Sequence, residues 1–447
     1  MDSRGEDRGH GDCRNSACRA RHSAAGMLKE RNTVMGISIG LVGLGSFGSA
    51  FAQLFKAHPL VDRVAFCDCE PERVRKFAED PFFADKFNPR DAYGSLDEIC
   101  ASDLDALVVI TQPWLHAPQC IQAMESGKEV YSAVPLTCLP DSDEVLDWCG
   151  RIIETSKRTG RHYMLGETTC FRPQAMFCRR KALAGEFGDF VYAEGEYMHD
   201  VDSACSLREV MRRRTAGRIG SEWPAKEEEY ARNGKLSTPM NYPTHSVSGP
   251  VFCMGTRARK VAAFGWRNRT GDSYFRHDEF SNVTALFELA NGASMRVAEM
   301  RELAGQISPL ENETFRIIGT RGSFSENVWY YNGRTDETDA IRPEQRTRYT
   351  DAELFDLLPP EVREAFLTVQ NRSSGDLQNR DFVPQGHGGS HPYLVHEFVT
   401  SVYERRQPLV NAWEAGHYMA MGMAANRSAR RDGELTPVQD WGFAPEF

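Results

Sequence analysis

The chain has 447 residues, and at about 100–200 residues per domain two or three domains are expected. Lys and Arg number 53 against 63 Asp and Glu, a formal charge of −10, so the chain lacks the electrostatic footprint of a nucleic-acid binder. Apolar residues make up 41%, enough for sizeable cores, yet no apolar run approaches the roughly 20 residues that cross a bilayer as a helix.

The twelve cysteines are scattered and never form a CxxC pair. A zinc site or a disulfide scaffold is therefore not expected, and reduced thiols in a cytoplasmic enzyme fit better. Residues 1–34 mix Arg, Asp, Gly and Ser without an apolar period or the apolar core of a secretory signal. They read as a disordered extension, with Met27 or Met35 as an alternative start.

From Met35 the pattern changes. Ile37–Val42 (ISIGLV) is a short apolar run, GLGSFG follows at once, and Ser46 to Leu54 carries apolar residues at helical spacing. Strand, tight turn and helix give a GxGxxG motif its physics. Gly43 permits the turn, Gly45 lets the backbone approach a pyrophosphate, and Gly48 allows close packing of helix on strand. Ser46 and Phe47 lie between them at the helix N-terminus, whose free N–H groups suit phosphate. Val64–Cys67 is the next strand, and Asp68 ends it, where a ribose-binding acid is expected. Cys69, Glu70 and Pro71 follow, with no Arg directly after, so a 2′-phosphate would face two acids and NAD is favoured over NADP.

The alternation continues with a helix at 72–79, a strand at 104–110 and a helix at 116–126. A strand at 129–133, a long helix at 141–159 and a strand at 161–166 complete it. Such alternation implies a parallel doubly wound Rossmann sheet over residues 35–166, with ligands at the carboxyl ends of its strands.

The strand-end run VVITQPWLHAPQCIQAMESGKEVYSAVPL resembles the Gfo/Idh/MocA family of NAD(P)-dependent sugar and cyclitol oxidoreductases. The resemblance implies that Thr111, Pro113, His116 and Pro135 sit beside the cofactor. Plain dehydrogenases of that family end the next strand with Glu-Lys-Pro, whose lysine assists proton transfer; here the triplet is Ala133-Val134-Pro135. Segments 164–200, 240–255 and 385–398 are similar to the NAD-dependent glycosidases of glycoside hydrolase family 109. Phe171 and Ser246 depart from that group, where tyrosine and glycine are usual. The resemblance implies a redox-neutral cycle of oxidation, elimination, hydration and re-reduction on a sugar ring, with NAD tightly retained. A plain sugar or cyclitol dehydrogenase, with His245 in place of the lysine, and a non-catalytic NAD-binding regulator are the alternatives.

Residues 167–447 read as a substrate-binding α+β domain with an open, mainly antiparallel sheet. Strands are expected at 189–199, 260–267, 282–289, 293–300 and 314–319, with Asn291-Gly292 as a hairpin turn. The polar stretch 325–384 reads as an insertion or lid, and 416–430 as the last helix. His245, in YPTH, is the expected proton-transfer group or hydroxyl ligand. Tyr242 is divided between substrate contact and core packing. Glu167, at the end of HYMLGE, points at the crevice as a base or hydroxyl ligand. Arg172, His199, Asp200 and His387 are expected substrate contacts, although His199 and Asp200 could equally be a polar pair at a sheet end. Arg212, Arg213, Arg214 and Arg218 mark a solvated face or attract an anionic sugar substituent. No fixed ligand spacing ties the histidines and acids together, so no metal is expected. A homo-oligomer is expected by the resemblance.

Overall fold

The computed structural model describes residues 36–202, 206–304, 313–332 and 345–445. The stretch 1–34, read as a disordered extension, lies outside the described residues, as does 333–344 of the predicted insertion. The described chain from Gly36 onward is one compact unit, and none of its helices is long and apolar enough to cross a membrane.

Among the described residues the first sheet has six strands, all parallel: β1 (Ile37–Val42), β2 (Val61–Cys67), β3 (Phe87–Tyr93), β4 (Ala106–Val109), β5 (Glu129–Ser132) and β6 (Tyr163–Leu165). Their order is β3-β2-β1-β4-β5-β6, so the strand order reverses between β1 and β4, beside the turn that carries Gly43–Gly48. β1, β4 and β5 are buried along nearly their whole length, which is what helices on both faces of a parallel sheet require. The connecting helices are α1 (Ser46–Ala57), α2 (Pro71–Ala78), α3 (Leu96–Cys100), α4 (His116–Glu125) and α5 (Ser142–Thr159). α5 is stopped by Gly160 in the left-handed conformation.

Helix α6 (Pro173–Leu183) leads into the second sheet. Its described strands are β7 (Phe190–Met198), β8 (Ala258–Trp266), β9 (Asn282–Leu289), β10 (Ser294–Met300), β11 (Glu313–Gly319), β12 (Gly322–Ser325), β13 (Val328–Tyr331), β14 (Gln345–Arg348) and β15 (Thr436–Pro437). Only β7 and β10 pair in parallel; every other pairing is antiparallel. The fold is therefore the predicted one: a Rossmann sheet followed by an open, mainly antiparallel sheet. β9 and β10 form the hairpin that Asn291-Gly292 predicts, with Gly292 at φ 88°.

Between β7 and β8 lie α7 (Leu207–Thr215), α8 (Trp223–Arg232) and α9 (Thr244–Met254). The last segment holds α10 (Asp351–Leu354), α11 (Pro360–Ser374), α12 (His391–Glu404) and α13 (Ala412–Arg430). The described part of 325–384 is not a free-standing lid. β13 and β14 extend the sheet edge, and α11 packs against α1. The final helix starts at Ala412, earlier than the predicted 416, because the Asn411 side chain accepts from the N–H groups of Trp413 and Glu414 and caps it there.

α9 is buried over its whole length. It lies tight on the second sheet because Gly195 of β7 has no side chain: a Cβ there would stand 1.8 Å from the Ser246 carbonyl oxygen. That close approach carries His245 toward the carboxyl ends of the parallel strands.

Candidate functional site

The Gly-rich turn has the shape a pyrophosphate needs. Gly43 adopts φ 93°, and a Cβ on it would meet the Ile110 carbonyl oxygen at 2.2 Å. Above Gly45 a Cβ would meet nothing within 4 Å. α1 begins there with no side-chain cap and no acid in its first turn. An uncapped N-terminus of a 12-residue helix facing open space is an anion cradle. Asp68 stands at the end of β2, where its carboxylate accepts from the Leu44 N–H at 2.7 Å and the Glu70 N–H at 2.9 Å. These residues fit a dinucleotide.

Two arginines that the local sequence did not reveal approach the end of β2. Arg73 donates to the Asp68 carboxylate at 3.3 Å. Arg218 reaches from the chain after α7, its N–H donating to Glu70 at 3.3 Å. The same segment is fastened to the β4 turn. Gln112 donates to the Arg214 carbonyl at 3.1 Å, and Trp223 stacks on Trp114 with ring centres 4.7 Å apart. Arg212 and Arg213 instead pair with Glu209 on the exposed side of α7.

Thr111 and Pro113 follow β4 as expected, with Thr111 donating to Gln119 at 2.5 Å. His116 is buried between two carbonyls, those of Pro135 at 2.8 Å and Thr111 at 3.3 Å. Burial first, against those two hydrogen bonds, lowers its pKa to about 4. Neutral, His116 has one N–H and donates to one of these carbonyls while packing between the β4 and β5 turns. Pro135 follows a cis peptide bond. Val134 is 8% exposed and offers its carbonyl to the Tyr242 hydroxyl at 3.3 Å.

Glu167, His245 and Arg172 meet, together with two residues the sequence reading missed, Thr169 and Glu313. His245 Nδ1 lies 2.9 Å from Glu167 Oε1 and 3.6 Å from Glu313 Oε2. Arg172 pairs with the other oxygen of Glu313 at 3.1 Å. Thr169 ties the acids together: its N–H donates to Glu167 at 2.9 Å and its hydroxyl to Glu313 at 2.7 Å. Burial alone would depress the His245 pKa, but Glu167 and then Glu313 outweigh it and raise it to about 9. Burial would raise the Glu313 carboxyl; Arg172 and His245 reverse this and hold it down at about 2. Glu167 is likewise lowered, against its burial, by His245.

Among the described residues this is the one trio of possible ligand atoms within 4.8 Å of one another. Each carboxylate oxygen facing the imidazole already takes a donor, and the imidazolium and guanidinium balance the two acids. The arrangement is an ion-paired network, and a cation would have to displace it.

Tyr242 and Tyr197 border the imidazole, with ring centres at 5.2 and 5.0 Å. Burial holds the Tyr242 phenol well above its usual pKa, so it stays protonated. Tyr197 bonds His199 Nδ1 at 2.6 Å and carries the Arg301 guanidinium over its ring at 4.5 Å. Asp200 accepts from the Asp202 N–H at 2.8 Å and so shapes the turn after β7. His387 sits in the left-handed region at φ 43°, bonded to His391 at 2.9 Å, with its ring edge-on to Phe47 at 5.4 Å. A Cβ on the adjoining Gly388 would stand 3.4 Å from Arg172. The GHGGSH turn therefore joins the Gly-rich turn to the acid–imidazole network.

Residues 37–166 match the model of the oxidoreductase family with an NAD-binding Rossmann fold. A glycosyl hydrolase family 109 protein of Shewanella pealeana is 29% identical over 222 residues, covering 48% of this chain and 43% of that one. An alpha-N-acetylgalactosaminidase of Shewanella oneidensis is 28% identical over 233 residues, 51% of this chain and 46% of that one. The matched region thus spans less than half the length of each of these two relatives. Among solved structures, a levoglucosan dehydrogenase in complex with NADH superposes with a TM-score of 0.64 at 16% identity, covering 91% of this chain and all of that one. Residues 37–166 thus carry the NAD-binding Rossmann fold of the Gfo/Idh/MocA oxidoreductase family, and the chain is similar to glycosyl hydrolase family 109 proteins.

Proposed function

We propose that the protein holds NAD and acts on a pyranose ring by hydride transfer, cleaving a glycosidic bond with no net oxidation. The observation that carries this reading is the buried Glu167–His245–Glu313–Arg172 network beside the β5 turn, where Val134 replaces a dehydrogenase lysine. When bound, NAD supplies a reversible hydride acceptor for a ring carbinol.

The chain's own residues supply the rest. The α1 N-terminus and Gly45 take the pyrophosphate, and Asp68 takes the adenosine ribose. Val134 removes the usual proton relay, so proton movement falls to His245, with the Tyr242 and Tyr197 phenols as neutral hydrogen-bond partners. Arg172, His199, Asp200 and His387 border the ring. An N-acetylgalactosaminide is the first substrate to try, by the name of one relative.

We place the enzyme in the cytoplasm, which suits the nine free thiols among the described residues. Copies pair through the outer face of the second sheet, where Phe264, Trp266 and Leu286 are exposed.

The test is a screen of nitrophenyl glycosides against the purified protein, with and without added NAD⁺. Nitrophenol release without accumulation of reduced nicotinamide supports the redox-neutral cycle. Reduced nicotinamide accumulating with free sugars would make the protein a plain dehydrogenase. Neither signal, with NAD bound, would make it a regulator.

A further inference from the structure

We propose that Glu313 is the positioning residue that keeps His245 an imidazolium at neutral pH, so that Nε2 enters the reaction as a proton donor rather than as the base the sequence suggests. The inference rests on the proposed chemistry only for its consequence; the protonation state itself stands on geometry.

Nδ1 faces two carboxylate oxygens, at 2.9 and 3.6 Å, so it carries a proton; the second proton, on Nε2, is favoured because the Arg172 guanidinium balances only one of the two buried acids. Glu167 and Glu313 are buried and come from separate elements, the end of β6 and the start of β11. Thr169 donates to both and fixes the gap into which the imidazole fits. With Nδ1 thus engaged, Nε2 has no hydrogen bond to the described residues and is the atom left for a substrate oxygen.

The other charged and titratable groups around the ring do not reverse this. Arg172 and His387 oppose the cation. Glu299, on β10 beneath α9, hydrogen-bonds the Ser246 hydroxyl and pairs with Arg301 at 2.6 Å. Tyr197 and Tyr242 border the ring as neutral phenols. Glu167 alone would leave Arg172 without its carboxylate partner and facing the imidazolium, so the second acid decides the balance.

In the transfer itself the Nε2–H bond breaks, its electron pair stays on Nε2 as neutral imidazole, and the proton goes to the sugar oxygen that is gaining an electron pair. Where that oxygen is the glycosidic one, the resting cation is restored by a proton of the water that adds to the ring, whose hydroxide forms the new bond to the ring carbon.

The experiment is a histidine titration of the full chain, labelled with ¹³C at Cε1 and followed by NMR, with His245→Gln identifying the signal. In the parent protein the His245 signal should remain that of an imidazolium through neutral pH. In Glu313→Gln the midpoint should fall by about one to three pH units, the range for loss of a neighbouring opposite charge, and Glu313→Asp should restore part of it. A neutral His245 at pH 7 in the parent, which needs no variant to fold, would overturn the proposal. So would an unchanged midpoint in a folded Glu313→Gln. The titration needs no substrate, so it stands or falls separately from the glycosidase reading. Where turnover is measured, the alkaline limb of kcat/KM should move with the NMR midpoint, whereas a merely structural role would lower the rate equally at every pH.

Discussion

Gly45 and Gly43 are separated by one residue, yet substitution should act on different properties. Gly45 has φ −65° and open space above it, so Gly45→Val should fold normally. Its side chain would fill the volume the pyrophosphate needs, and NAD binding measured by calorimetry should be lost while Tm is unchanged. Retained affinity would remove the cofactor from this turn. Gly43, by contrast, cannot take a side chain without striking Ile110. Val134→Lys tests the other half of the site. It would place a cation beside Tyr242 and near the oxidised nicotinamide, which is itself positive, and NAD⁺ should bind less well. A gain in net sugar oxidation would instead show that the site still runs dehydrogenase chemistry. Glu167, Arg172 and His245 were legible because each lies at a strand end or in a distinctive run. Glu313 was not, because nothing local marks it: its partner Thr169 is 144 residues away, and they meet because α9 packs against both β11 and the 168–171 turn. His116 adds a role that its run did not reveal, since it packs between the β4 and β5 turns.

At the scale of elements, apolar period decided what could be read. β1, β4 and β9 matched because burial is continuous or strictly alternating. β3 was missed because FNPRDAY buries only one residue along an edge, so it carries almost no apolar signal. The α7–α8 segment was seen only as an arginine run, and its long-range contacts give it meaning. It spans from Glu70 beside the ribose acid to Trp114 beside the β4 turn, and so lies across the cofactor cleft. An enzyme that regenerates its cofactor in place gains by not releasing it. Trp223→Ala would remove a stacked pair worth about 0.5–1.5 kcal/mol beyond its buried area and free one end of this segment. The NAD dissociation rate should rise about tenfold or more, equivalent to about 1.4 kcal/mol, with the Rossmann core intact by circular dichroism. An unchanged rate in stopped-flow displacement would show that the segment does not retain the cofactor.

Over the whole molecule, buried histidines and buried carboxyls pull the response to acid in opposite directions. His58 and His391 are buried and held neutral, each lowered to about 3, first by burial and then by a neighbouring histidine. His116 is lowered to about 4. In the unfolded chain all three titrate near 6.5, so between that pH and their folded values the unfolded state binds more protons. Stability is therefore full above about 6.5 and is lost as pH falls, at roughly 1.4 kcal/mol per histidine for each pH unit. His245 has the opposite sign: its raised value stabilises the fold below the unfolded pKa, and that contribution disappears as pH rises through about 9. Glu313 adds stability above its unfolded pKa that is lost only as pH falls through about 2. Between pH 7 and 5 the three neutral histidines, with His162, His387, His396 and His417, which burial also lowers, cost stability as pH falls, while the buried carboxyls of Asp278, Glu299 and Glu414, each raised to about 7 by burial, oppose them because the folded state takes up their protons first. His58→Phe should make the change in Tm from pH 7 to 5 less negative by removing one of these histidines, since His58 packs against the Phe366 ring at 6.0 Å and lies in a fully buried site. A pH dependence of Tm unaltered in a folded His58→Phe would mean that protonation of this ring does not contribute to acid stability.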